Sequence, residues 1–328
     1  MAHPILTSDF CFQLKENEKG KRIDLKDIKK YPKAKLWIHL DYQKEKSHDF
    51  VRHLNLGKSI TNDLLDPETS PHYFLGKTGL MVIMRGVNMQ KNAEIDDMIS
   101  LRIWIDAKRI ITLSHRHIAA LDDITHAIKK GKGPKSPMDC FLTIAGHMTE
   151  GIANAAVKID DKVDEIEDVI VAAGETSMMA NKELRMNLSS LRHDIIGLRR
   201  YLVPQLEMLR VLKSATHPLI VPEDSEQLNA IFIDLLKAVE DLNFARDHSN
   251  VSQEELDSKI NISISQTMYI MSIVMVIFTP LTFITGLLGA NIGGIPFGEN
   301  TYGFLFICLF LILMAVVQII VIKKMRWF

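Results

Sequence analysis

Between Lys259 and Lys323 a single formally charged side chain occurs, Glu299. So long a stretch almost without ionic groups has no surface to offer water, and it must find lipid or other protein to cover it. Two windows inside it, Tyr269–Leu288 and Gly303–Ile322, carry no charge at all. As helices at about 1.5 Å per residue each is about 30 Å long, the thickness of a hydrocarbon core. Both are predicted to span a membrane. Residues 289–302 make a short connection, whereas Lys323, Lys324 and Arg326 follow the second span. Basic residues favour the cytoplasmic side, which puts the C-terminus inside and the connection outside. Tyr269 and Trp327 then fall at the inner interface, Phe297 and Tyr302 at the outer one. The start of the chain, MAHPILTSDFCFQLK, has no apolar run of signal-peptide length. Both termini are therefore expected in the cytoplasm, with the chain a multi-pass protein of the inner (plasma) membrane.

The charge balance elsewhere is unremarkable, with 39 Lys+Arg against 40 Asp+Glu in 328 residues and a net charge of −1. No electrostatic footprint for nucleic acid exists. Cys11, Cys140 and Cys308 are too few and too scattered for a disulfide framework or a thiolate zinc site. No phosphate loop, GxSxG or HExxH occurs, so the sequence offers no enzymatic reading and no resident cofactor.

The body before the spans divides by pattern. Residues 1–135 hold strand-like runs at 35–40, 79–85, 100–106 and 109–114, with short helical segments at 46–56 and 60–65, and read as an α/β domain. Lys129-Lys-Gly-Lys-Gly-Pro-Lys135 punctuates the chain, and no strand signal follows. Over 136–220, apolar residues at helical spacing (Ile152, Ala156, Ile159, Val163 and Ile166, then Leu188, Leu191, Ile195, Leu198 and Leu202) predict two long antiparallel helices. A stalk helix over 221–267 opens at Pro222-Glu-Asp-Ser, a residue order suited to a helix N-terminus. Leu228, Ile231, Leu235, Ala238, Leu242, Ala245, Ser249, Ser252 and Leu256 alternate at steps of three and four, a heptad seam. With no Pro or Gly between Pro222 and Pro280, the helix is expected to run unbroken into the transmembrane hairpin, 268–328. The fold class is an α+β membrane protein: a cytosolic α/β domain, a long helical stalk and two C-terminal spans.

The first span is chemically unlike the second. Ser265, Met268, Ser272, Met275, Thr279, Thr282 and Gly286 continue a three-four spacing into the bilayer, with Met271 beside them. Small residues and hydroxyls of this kind serve close helix packing, and they also serve a water-filled path. The second span has only Cys308 and Gln318 as polar interruptions, which suits lipid. Two helices cannot enclose a pore, so a conduit needs several copies about an axis. Without a carboxylate, imidazole or amine in the first span, a divalent ion would keep much of its hydration shell, touched by hydroxyls, carbonyls and amides. Met268, Met271 and Met275 would form an apolar constriction able to close by dewetting.

Gly289-Ala290-Asn291 ends the first span. Directly after a hydroxyl-bearing helix, before a short outer loop and a final span with basic ends, it resembles the two-span GxN family of CorA metal-ion transporters, as does Pro280-Leu-Thr-Phe-Ile-Thr-Gly286. Ala290 in place of the Met of GMN, and the loop Asn291-Ile-Gly-Gly-Ile-Pro296, look like the ZntB zinc-transporter branch. Arg85-Gly-Val-Asn88, Ser100-Leu-Arg-Ile-Trp-Ile-Asp106, Ala120-Leu-Asp-Asp123, Gly131-Lys-Gly-Pro134 and Arg199-Arg-Tyr-Leu-Val-Pro-Gln205 extend the resemblance over nearly the whole chain. The resemblance implies a homopentamer with Gly289, Ala290 and Asn291 as the selectivity filter and the amide of Asn291 holding a hydrated cation. It implies zinc as the transported ion, with magnesium, cobalt or nickel as alternatives, and coupling to protons. Nothing in the stripe is a soft or borderline ligand, so zinc follows from resemblance and not from coordination chemistry.

Outside the stripe, Asp160, Asp161, Asp164, Glu165, Glu167 and Asp168 share nine residues with one Lys. This is either a solvated face or a hard-cation site near the cytosolic vestibule. Glu299 would concentrate cations at the outer mouth. His115 and His117 would share one strand face, with surface histidines the reading preferred over a zinc site. A rival of another class is a membrane-anchored coiled-coil scaffold or sensor, in which the spans merely tether.

Overall fold

In a computed structural model, residues 9–16, 18–88, 97–172, 178–290 and 301–324 are described. Two compact units result, Met1–Gln253 and Glu254–Phe328.

The first unit is built on a seven-stranded sheet: β1 (Phe10–Leu14), β2 (Arg22–Ile23), β3 (Lys35–Leu40), β4 (His72–Leu75), β5 (Gly79–Val87), β6 (Met98–Asp106) and β7 (Arg109–Leu113), in the order β2-β1-β3-β7-β6-β5-β4. All neighbours are antiparallel except β3 and β7. Both faces are covered, which is why the strands read as nearly continuous apolar runs instead of alternating ones. Phe10, Phe12, Trp37, Leu80, Val82, Ile103 and Ile110 point to one core, and their neighbours Cys11, Ile38, Met81, Trp104 and Ile111 to the other. The smaller core is closed by α1 (Glu45–Arg52) and α2 (Lys58–Leu65) through Val51, Ile60 and Leu64.

The larger core takes α3 (Ala119–Lys130), α4 (Pro137–Ala172), α5 (Met178–Lys213) and the first part of α6 (Pro222–Leu288). α3 stops at Gly131, whose φ of 80° is the left-handed conformation that glycine adopts without cost. The apolar positions expected for the two long helices are buried, from Ile152, Ile159 and Val163 on α4 to Leu191, Ile195 and Leu202 on α5, except Ile166, which is half-buried against the same core. At the start of α6, the Asp224 carboxylate accepts the Val221 N–H at 3.0 Å, so Pro222 and its acids cap the helix. Every member of the seam from Leu228 to Ser252 is buried. Leu228, Ile231, Leu235, Ala238, Leu242 and Ala245 join the core shared with α4 and α5, so this part of the seam packs within its own chain.

The second unit holds the end of α6 and α7 (Gly303–Lys324), both long and apolar enough to cross a membrane. α6 runs without a break through Pro280. α7 continues past Ile322 to Lys323 and Lys324, cations in the last turn, where the helix dipole favours them.

Candidate functional site

The stripe of the first span is exposed throughout: Ser265, Met268, Met271, Ser272, Met275, Thr279, Thr282 and Gly286. The less exposed residues of the same span are Ile273, Ile277, Pro280, Leu281, Ile284 and Leu288. At about 100° per residue they stand on the side of the helix opposite the stripe. On α7, Gly303, Ile307, Cys308, Leu311, Met314, Ala315, Gln318 and Ile322 are likewise the less exposed positions and share one face. In a unit whose described elements are two helices, each covers the other. The stripe therefore points away from α7.

Hydroxyls in this region are turned to the helix. Ser265 Oγ donates to the Asn261 carbonyl at 2.8 Å and Ser272 Oγ to that of Met268 at 2.9 Å, while Thr285 Oγ1 donates to Leu281 at 3.0 Å. A serine that gives its only proton to the helix keeps its lone pairs for water or a cation. Oxygen acceptors without net charge are thus presented outward. Pro280 lacks the N–H that would reach the Val276 carbonyl, leaving one more acceptor in the span. A Cβ on Gly286 would meet no heavy atom within 4 Å, whereas one on Gly289 would come within 3.2 Å of the Thr285 carbonyl. Gly289 closes the last turn, its N–H donating to that carbonyl at 2.9 Å. Ala290 follows in the turn, and Asn291 and Glu299 lie outside the described residues.

The stripe is not a direct extension of the seam. Leu256, the last seam residue, is buried, and Ser265 is nine positions on, a rotation of about half a turn at 100° per residue. The face of Ser265 is continued toward the N-terminus by Asn261, Asp257 and Glu254, which line an open groove with Ser258, Gln266 and Tyr269. Sequence reasoning passed over these two carboxylates. The signal was available in the helical angle, but the heptad pattern drew attention to the opposite side.

The acidic run of α4 is divided by its helix. Asp161, Asp164, Glu165 and Asp168 are exposed, while Asp160 and Glu167 are half-buried. Across from them on α6, His248 has Nδ1 3.4 Å from Asp164 Oδ1 and Nε2 2.5 Å from Glu167 Oε2. Burial raises the Asp160 carboxyl above its usual range, with Asp164 adding to the shift and His248 opposing it. The run is therefore not a uniform solvated face, and its histidine partner, 81 positions from Glu167, was invisible to local spacing. The expectation for His115 and His117 is corrected. β7 ends at Leu113, and the two histidines turn apart, His115 toward Asp41 (3.3 Å) and His117 toward Asp122 (2.6 Å).

The chain matches known proteins over most of its length. Residues 33–324 match the family model described as CorA-like Mg2+ transporter protein. The chain is 33% identical over 298 residues to the divalent cation transporter CmaX of Pseudomonas aeruginosa, covering 90% of this chain and 88% of that one. It is 27% identical over 292 residues to the zinc transport protein ZntB of Yersinia pseudotuberculosis, covering 89% and 87%. The structure of full-length CmaX superposes with a TM-score of 0.81 at 30% identity, over 97% of each chain.

Proposed function

The chain belongs to the CorA family, and from that premise we propose that it carries divalent cations across the inner membrane through a homopentameric pore lined by the stripe of α6. The observation that carries this reading is the placement of the stripe opposite the face covered by α7. In a ring of copies, one surface of α6 is then free for the axis while α7 lies outside toward lipid, the side its apolar surface suits. Uncharged oxygens along the stripe replace outer hydration of an ion without stripping it, and Glu254 and Asp257 draw cations to the end of the path remote from Gly289. Asn291 completes the path as the filter, and Lys323 and Lys324 keep the C-terminus in the cytoplasm. Membership of a transporter family leaves no enzymatic role to assign.

Zinc is the proposed ion, on the strength of the ZntB relatives and of Ala290 in the filter; magnesium is the alternative suggested by the family description. Because the span offers no carboxylate or imidazole, any proton coupling runs through water or through groups outside the bilayer core. The test is uptake by proteoliposomes of zinc, magnesium, cobalt and nickel, each with and without a pH gradient. Zinc flux above magnesium flux is the expected result. Flux unaffected by the gradient would remove proton coupling, and no flux of any ion would leave the spans as a mere tether.

A further inference from the structure

We propose that Asp160, Asp164 and His248 form a second divalent-metal site in the soluble unit, separate from the transmembrane stripe and suited to zinc-class ions over magnesium. One ligand atom from each lies within 4.8 Å of the others. The set is not an acidic patch alone, because an imidazole from α6 faces two carboxylates from α4 one helical turn apart. A tetrahedral ion with bonds of about 2.0–2.2 Å needs donors about 3.3–3.6 Å apart. His248 Nδ1 and Asp164 Oδ1 already stand at 3.4 Å, at the outer limit for a hydrogen bond and at that tetrahedral separation.

Two further observations point to an ion. His248 Nδ1 and Asp160 Oδ1 are both buried atoms with no hydrogen-bond partner among the described residues. Such atoms are costly unless something fills the space between them. The other ring nitrogen, Nε2, is held by Glu167 at 2.5 Å. A carboxylate on one nitrogen fixes the ring and leaves the other free to bind, the arrangement common to metal-ligating histidines. One nitrogen with carboxylate oxygens suits zinc, cobalt or nickel, whereas magnesium prefers an all-oxygen octahedron that keeps its waters. Three protein donors leave a position for water, so the site would be exchangeable rather than permanently closed.

Binding to the purified full-length protein in detergent tests this without reference to transport. Co2+ is the optical probe, displaced by Zn2+ or by Mg2+, and isothermal titration with Zn2+ counts ions per chain. The wild type is expected to show a tetrahedral Co2+ absorption band that Zn2+ abolishes and equal Mg2+ does not. His248→Ala and Asp160→Asn should each lose the band and one bound ion per chain, while Asp161→Asn keeps both. Glu167→Gln retains all three donors and should weaken Zn2+ binding by about 10–100-fold. It keeps the test readable should His248→Ala fail to fold. Unchanged zinc stoichiometry and affinity in folded Asp160→Asn and Glu167→Gln would overturn the site, and equal displacement by Mg2+ would overturn its metal class.

Discussion

Trp37 Nε1 donates to Thr112 Oγ1 at 3.0 Å across the parallel pair of β3 and β7, and the same oxygen lies 3.0 Å from His39 Nδ1. One hydroxyl thus serves two buried rings at the centre of the sheet. Thr112→Val keeps the shape and removes the hydroxyl, leaving the indole N–H without its partner. The expected loss is about 1–3 kcal/mol of stability, read from thermal or denaturant unfolding of the full-length protein, with Thr112→Ser losing less.

Burial pushes His39 down to about 4, against the opposing pull of Asp9 and Asp41. In the unfolded chain the ring titrates near 6.5, so between these values the unfolded state binds more protons than the folded one. The stability that the neutral ring contributes is complete above about pH 6.5 and is lost as pH falls toward 4, by an amount on the order of 3 kcal/mol. Unfolding midpoints measured from pH 7.5 to 4.5 should fall accordingly. His39→Gln should flatten that slope; an equally steep fall in the variant would assign it to other groups.

On the stripe, Thr282→Leu replaces an outward oxygen with an apolar side chain of larger volume. Metal flux in proteoliposomes is expected to fall at least about tenfold, equivalent to about 1.4 kcal/mol on the barrier, with oligomer size unchanged. The same replacement by Leu at Ile277, on the less exposed face opposite the stripe, should leave flux near wild type.

Met275 is exposed on the stripe face one turn from Met271. Met275→Ser exchanges an apolar side chain for a smaller, wettable one, which lowers the cost of hydrating a closed constriction. Basal flux should rise, the opposite sign to Thr282→Leu. A fall in both would argue against dewetting as the gate.

What could be read from the chain before its fold was known varied with the range of the interactions involved. β3, β5, β6 and β7 were legible because a sheet covered on both faces needs long apolar runs. β1 and the short edge strands β2 and β4 carried no such run. Helices α4 to α7 announced themselves by period and charge, signals that survive over many turns. The hydroxyl stripe was equally plain, whereas its relation to the seam was misread: both follow steps of three and four, and only counting the nine residues from Leu256 to Ser265 separates their faces.

Sequence alone determined the membrane hairpin, the uncharged character of its first helix and the family, because hydropathy, charge asymmetry and a contiguous motif are local properties of a chain. Tertiary structure decided which side of α6 meets α7, which half of the acidic run turns inward, and that His248 closes on Asp164 from another helix. Those are contacts between residues far apart in sequence, set by how whole helical faces pack, and no local spacing encodes them.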